Sequence, residues 1–430
     1  SAARLLGLVL VESPDSATMS GNSLTRKPSM FHETVTAKGH LIDTQILDRV
    51  FDVIADRGAS HEVLQFDIGK RSEDESFVRL KITAPDRETL DHVMDGIVPY
   101  GCELESARDA RWDDAPKDSC VPEDFYSTTN HQTQIRMDGR WINVGKQRMD
   151  AVIIMEDDEP VCRKLRDVKK GEHVVCGPSG VRVLIDQPGR KKQAFAFMNN
   201  DISSERRVET SVKRVVKIMK EVREKGERIV VVAGPVVIHT GGIEPFSRLV
   251  NAGWIDVLLS GNAIAVHDIE NCFFGTSLGV SLEKGVPVEE GHKNHMRAIN
   301  RINHAGSIAQ AVEQGVLTSG LMHSLVKNDV SFVLAGSIRD DGPLPDTVMD
   351  LVEAQEQYEK KLEGAGLVLM LSTMLHSIGV GNMLPSWVNV VCVDINPAVV
   401  TKLSDRGSSQ TVGIVTDVGL FLQRLADELC

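Results

Sequence analysis

Two apolar runs near the C-terminus end in residues of the kind that hold a nucleotide. GLVLML is followed by Ser372-Thr373-Met374-Leu375-His376 and then by Gly379-Val380-Gly381, and VNVVCV ends at Asp394. Glycines after a strand let the backbone approach a pyrophosphate, whose charge suits the N-terminus of the next helix. An acid closing the following strand is placed to accept both ribose hydroxyls. The third glycine of the dinucleotide fingerprint is missing, and Asp394 lies closer to the glycine pair than the usual ~20 residues. The strand–turn–strand context still supports a dinucleotide, and an acid at the ribose position favours NAD over its phosphorylated form.

Other apolar runs end in the same way. Asn262 and Ala263 follow DVLLSG, Asp340 and Asp341 follow VSFVLAGS, and Asp417 and Val418 follow GIVT. Any one of these Asp residues would serve as a helix cap or turn residue. Their shared place at strand ends makes them edges of one pocket. His267-Asp268-Ile269-Glu270 sits on the first turns of a helix opening at that pocket, with acidic groups suited to an ammonium. His239, after another run, is a candidate proton carrier. His292 and His295 have i,i+3 spacing but no third ligand, so no metal is expected. Ser203-Ser204-Glu205-Arg206 reads first as a helix cap; Arg206 or Arg182 is the alternative carboxylate clamp, since guanidinium binds carboxylate bidentately. Neither a Ser nucleophile elbow nor a P-loop is present, which argues against hydrolase and kinase chemistry.

The elements that must position these residues follow from the same runs. RIVVVAGPVVIHTGG, IDVLLSGNAIAVHD, VSFVLAGSIRDDGP, GLVLMLSTMLHSIGVGN, VNVVCVDINP and TVGIVTDVGLF each pass from continuous Val/Ile/Leu into small and polar residues. Unalternating apolar strands are covered on both faces, which implies a parallel sheet between helical layers. Ligands then bind beyond the carboxyl ends of the strands. Residues 203–430 are therefore expected to form an α/β, Rossmann-like doubly wound domain. It opens with a long helix striped by Val208, Val212, Val215, Val216, Ile218 and Met219. Upstream, residues 31–111 alternate as βαββαβ, the ferredoxin-like α+β order, ending in CELESARDA as a strand. Residues 112–202 hold short β pieces divided by DG, GP and PSG turns, a small β-rich module. Its most polar patch is Phe125-Tyr-Ser-Thr-Thr-Asn-His131, either a solvated loop or a segment reaching the site. Residues 1–30 are Ser-rich and basic, a disordered leader or the remainder of a transit peptide.

Composition narrows the classes. With 430 residues the chain has room for two or three domains. A formal net charge of -13 argues against a phosphate-backbone partner or an anionic membrane surface. Seven scattered cysteines without a CxxC pair indicate a reducing compartment rather than a disulfide framework. A cytoplasmic location follows, or an organellar one if the leader targets. No nucleic-acid or membrane partner is expected, which leaves a small molecule.

FHETVTAKGHLIDTQILDRVFDVI, FYSTTNH, GPSGVRV, SSER, HTGG, SGNAIAVHDIE and VDINPAVVTKL together resemble the archaeal-type ornithine cyclodeaminase family. That family is similar to the conserved region of lysine-ketoglutarate reductase/saccharopine dehydrogenase enzymes and to the C-terminal part of cyanobacterial arginine-dihydrolase fusions. The resemblance spans residues 31–430. It implies a deoxyhypusine synthase-like Rossmann domain, a homo-oligomer, a small-molecule amino-acid substrate, and conversion of L-ornithine to L-proline and ammonia with catalytic NAD. In that reaction hydride leaves the α-carbon, the δ-amine attacks the imine, ammonia departs, and hydride returns. It also implies NAD contacts at Asn262, Ala263, Asp341, Thr373, Met374, Leu375, His376, Asp394, Ile395, Asp417 and Val418. Asp268 and Glu270 are then expected to bind the amines, and His267 or His239 to move the proton. Two rivals remain: an NAD-dependent amino-acid oxidoreductase of lysine or saccharopine metabolism, and a non-catalytic amino-acid sensor built on the ferredoxin-like module.

Overall fold

A computed structural model describes residues 30–42, 45–69, 74–106, 108–185, 204–277, 280–281, 293–340, 343–406 and 411–430. Of the sequence candidates, Asp341, His292, Ser203 and the side chain of Arg206 lie outside the described residues, as does the leader up to residue 29.

Seven parallel strands form the C-terminal sheet: β1 (Arg228–Ala233), β2 (Val257–Gly261), β3 (Ser331–Ala335), β4 (Thr347–Val348), β5 (Ala365–Leu371), β6 (Asn389–Asp394) and β7 (Thr411–Val415). Their spatial order is β4-β3-β2-β1-β5-β6-β7. Each run is apolar on both pleats because both faces are covered. In β1, Ile229, Val231 and Ala233 join one buried cluster, while Val230 and Val232 join the cluster on the opposite face. Each fully buried aliphatic side chain contributes about 1.5–3 kcal/mol, so the sheet is a stiff platform. The helix Ser204–Glu224 lays Val212, Val215, Val216 and Met219 on the first of those clusters, as its stripe requires.

The N-terminal module has strands Phe31–Gly39, Ser60–Asp67, Ser76–Ala84 and Glu103–Leu104. The first pairs antiparallel with the third and the fourth, and the second pairs with the third, which is the ferredoxin-like arrangement. Its last strand is only two residues, not all of CELESARDA, and it pairs with Val35 and Thr36 alone. Two small antiparallel sheets follow, one of four strands and one of three, around Ile135, Ile153 and Val175. This β-rich module grips the helix Leu351–Leu362 of the Rossmann-like layer. Glu359 on that helix meets Arg148 at 2.7 Å and Lys164 at 2.5 Å. Burial alone would raise the Glu359 carboxyl, but Lys164 and Arg148 outweigh it and hold it below its ordinary value. The FYSTTNH patch belongs to this contact. Thr128 is tied to Arg148 and Ala151, and the Asn130 carbonyl accepts from the Ser386 N–H at 2.9 Å. Among the described residues, no helix is long and apolar enough to cross a membrane.

Asp268 has a structural place. It is fully buried on the helix Asn262–Phe274, and its two oxygens accept from the backbone N–H groups of Leu321 (2.9 Å) and Met322 (2.8 Å). Those groups open the helix Leu321–Lys327, whose N-terminus lacks partners of its own. Asp268→Ala is expected to cost roughly 2–4 kcal/mol in urea unfolding. An unchanged unfolding midpoint would contradict this cap.

Candidate active site

The strand order reverses between β1 and β5, and the crevice at such a switch point is where ligands enter an open α/β sheet. Two backbone features shape it. A Cβ on Gly234, just past β1, would sit 2.5 Å from the Ser372 carbonyl oxygen, so only glycine lets the two strand tips meet. Ser372 itself takes φ 49, the left-handed region that side chains rarely adopt and that clusters at functional sites. The turn is therefore Ser372-Thr373, and the helix Met374–Met383 begins at once, without a side chain capping its first N–H groups. Gly379 and Gly381 lie inside this helix and form no phosphate turn, contrary to the sequence expectation. Counted from Thr373, Asp394 lies 21 residues on (394 − 373), the usual fingerprint spacing.

Asp394 ends β6, half-buried, and one oxygen accepts from the Asn396 N–H at 2.8 Å, which fixes the carboxylate at the strand tip. Leu375 and Ile395 stand beside this region 78% and 69% exposed. Large apolar side chains left open at a polar rim suit the faces of a flat base. Asp417 caps the helix Val418–Leu429 through the Leu420 N–H at 2.9 Å, and the Val418 side chain is in the core. At these two positions only backbone atoms and the remaining carboxylate oxygen of Asp417 can face a ligand.

On the other side of the switch point lies a cleft of about 450 Å³, lined by His239, Asn262, Ala263, His267, His295 and Arg339 among others. A smaller hollow of about 90 Å³ continues it over Gly234, Gly261, Asn262 and His376. Asn262 is buried and holds the far wall. Its amide donates to Asp340 at 3.2 Å and accepts from the Leu344 N–H at 3.1 Å and the Thr347 hydroxyl at 2.9 Å. Asp340 also accepts from the Ser337 N–H at 2.7 Å, so the loop after β3 is braced with its carboxylate in the cleft.

The His239 and His267 rings meet edge to face, 4.9 Å between centroids. The Nδ1 of His267 bonds the Ser277 hydroxyl at 2.9 Å, and Glu270 lies beneath, 4.0 Å from the same nitrogen. Burial drives the His267 imidazole down to about 4, with His239, His295 and Arg339 acting in the same direction. Burial also lowers His239, partly offset by Glu270, yet this ring stays open to the cleft. The Nδ1 of His295 is buried without a partner among the described residues.

Neither carboxylate expected to hold an amine lines the cleft. Asp268 is spent on the helix cap, and Glu270, fully buried, accepts from the Thr276 hydroxyl at 2.8 Å. Both sit on the inward face of the helix Asn262–Phe274, a face the apolar pattern does not reveal because this helix is buried nearly all round. Among the described residues, Asp340 is the acid that lines the cleft. Arg182 is no clamp for this site, because it bonds Gln134 and stacks over Trp141 in the β-rich module. Arg339 and His295 line the cleft with little signal in the sequence; for Arg339 that signal is its place in SIRDDGP, one residue before Asp340.

An NAD molecule fits this set of residues. The open helix N-terminus at Thr373 suits a pyrophosphate, Asp394 a ribose diol, and the exposed Leu375 and Ile395 a base. The hollow over Gly261 exists because that residue has no side chain: a Cβ there would come 3.0 Å from His376 Nε2.

Comparison with known proteins agrees with the fold. The LOR/SDH bifunctional enzyme conserved region matches residues 32–131, the first region of the arginine dihydrolase ArgZ-like C-terminus matches 132–212, and its Rossmann-fold region matches 213–425. The ornithine cyclodeaminase of Methanocaldococcus jannaschii is 49% identical over 93% of this chain and 96% of its own length. The apo structure of cyanobacterial ArgZ, an arginine dihydrolase, superposes with a TM-score of 0.81 at 42% identity, covering 94% of this chain and 59% of that one. AgrE, solved as a ternary complex with ornithine and NAD+, superposes with a TM-score of 0.51 at 47% identity, covering 94% of this chain and 58% of that one. The chain thus spans little more than half of the two cyanobacterial proteins and nearly the whole of the archaeal one. On this likeness, over almost its full length, the chain belongs to the ornithine cyclodeaminase family.

Proposed function

We infer that this protein converts L-ornithine to L-proline and ammonia, with NAD as a cofactor that is regenerated within each turnover. One observation carries the reading: a guanidinium, a carboxylate and imidazoles, those of His239 and His267 lowered by burial, face one cleft that opens at the NAD-fitting switch point. An amino acid with a second amine matches those groups, and AgrE was solved with ornithine and NAD+.

When bound, NAD supplies a hydride acceptor that returns the hydride at the end of the reaction. Arg339 binds the substrate carboxylate by charge-assisted hydrogen bonds. Asp340, held by Asn262 and Ser337, neutralises an ammonium, the task the sequence had assigned to Asp268 and Glu270. His239 takes the proton that frees the α-amine and returns it to the departing ammonia. A base held near 4 is a poor proton acceptor at neutral pH, which makes His267 the orienting partner and His239 the carrier. Val266, Met296 and Ile299 wall the cleft with apolar surface, which limits competing hydrolysis. Self-association belongs to this reading as well. The outermost strand Ser60–Asp67 leaves Val63 and Leu64 exposed, and light scattering would show an assembly larger than one chain, or a monomer that refutes it.

The direct test uses α-deuterated ornithine with a trace of NAD. Proline that keeps the label, with no accumulating NADH, is the expected product. Stoichiometric NADH carrying deuterium would instead identify a dehydrogenase. Arg339→Ala is expected to raise the KM for ornithine about 10- to 100-fold, the range of a charged hydrogen bond, with NAD affinity unchanged. Asp394→Ala should weaken NAD roughly tenfold by calorimetry in a folded protein; equal affinity would reject the ribose assignment. Stability should also fall with acid because of His267. Its folded value lies below the unfolded one, so the unfolded chain binds the extra proton between about pH 6.5 and 4, and stability is lost as pH drops through that window. His267→Gln should flatten this slope in thermal unfolding; an unchanged slope would assign it to other groups.

A further inference from the structure

We propose that Tyr358 is a positioning residue that locks the tautomer of His376, so that His376 presents an unprotonated Nε2 at the floor of the cleft as acceptor for the nicotinamide carboxamide N–H. The proposal rests on the NAD reading above and adds a residue and a contact to it.

The argument is one of counting protons. Tyr358, buried on the helix Leu351–Leu362, has a single hydroxyl proton, and its oxygen lies 2.7 Å from the Ser260 carbonyl oxygen. A carbonyl only accepts, so the proton is committed there. The same hydroxyl lies 3.2 Å from Nδ1 of His376, and with its proton already given it can only accept. Nδ1 must then carry the hydrogen. Burial disfavours the imidazolium, which leaves Nε2 with a lone pair.

The rest of the geometry aims that lone pair. Nε2 lies 3.0 Å from the point a Cβ on Gly261 would occupy, inside the small hollow at the tips of β1 and β2. Phosphate and carboxylate oxygens have no proton to give and are unsuited to this spot. Asp394, the ribose acid, stands on β6, three strands from β2 at ~4.8 Å per strand. The opposite end of the dinucleotide therefore reaches Gly261, and its ring carries an amide donor. Glu359, next to Tyr358 and clamped by Arg148 and Lys164, anchors the supporting helix to the β-rich module. That contact gives the lock a rigid base.

The test has two parts. Long-range proton–nitrogen spectra of protein with nitrogen-15 histidine, with the His376 signal assigned by its loss in His376→Gln, should show the Nδ1–H tautomer. An Nε2–H signature overturns the lock without any need for a Tyr358 variant. Calorimetry then compares wild type and Tyr358→Phe. NAD should bind the variant roughly fivefold more weakly, a typical hydrogen-bond loss, whereas the 3-acetylpyridine analogue, which lacks the amide N–H, should bind both alike. ADP-ribose should also bind both alike. An equal loss for the analogue or for ADP-ribose assigns the donor to a hydroxyl and overturns the carboxamide contact. Equal NAD affinity in both proteins overturns the role of Tyr358. A wild type that binds no dinucleotide is a different result, which overturns the NAD reading itself.

Discussion

The meeting of two strand tips, Gly234 beyond β1 and Ser372 beyond β5, is the constraint on which the site depends. The strand order turns around between these neighbours, so the following segments leave the sheet in opposite directions and a crevice opens between them. The contact is intolerant of change on both sides. Gly234 has no room for a methyl group, and Ser372 holds a left-handed backbone while donating its N–H to the Val393 carbonyl at 2.9 Å. Strain of this kind persists only where surrounding structure overdetermines it, and here the two-sided apolar packing of the sheet does so.

Polar networks then set the chemistry of each wall. Asn262 braces the loop after β3, and Asp268 starts the helix beyond the cleft. Glu270 supports His267 from below, and Tyr358 orders His376. Asp268, Glu270 and Tyr358 do not line the cleft themselves. They position the side chains that do line it, so that Arg339 and Asp340 face the cleft beside His239, while burial lowers both His239 and His376. The β-rich module joins in through Glu359, whose partners Arg148 and Lys164 come from outside the Rossmann-like layer.

How much of this was legible in the sequence follows from range. Unbroken Val/Ile/Leu runs announced the parallel sheet, and the βαββαβ alternation announced the ferredoxin-like module, because both are local patterns repeated along the chain. The strand tips at Asn262, Ala263, His376 and Asp394 were legible for the same reason. Gly379 and Gly381 misled because two glycines suggest a turn, whereas the actual turn uses Ser372 in a conformation no residue type announces. Asp268 and Glu270 misled because which face of a wholly buried helix meets a cleft is decided by distant partners, such as Leu321 and Met322, 53 and 54 residues from Asp268. Tyr358 gave no signal at all: its value comes from Ser260 and His376, on two other elements.

The most direct measurement of the central claim is a crystal structure of the protein grown with NAD. The account predicts the dinucleotide across the β1/β5 crevice, with its pyrophosphate at the first turn of the helix Met374–Met383, one ribose on Asp394 and the nicotinamide over Gly261. Dinucleotide bound elsewhere, or strand tips closed by side chains in the complex, would contradict it.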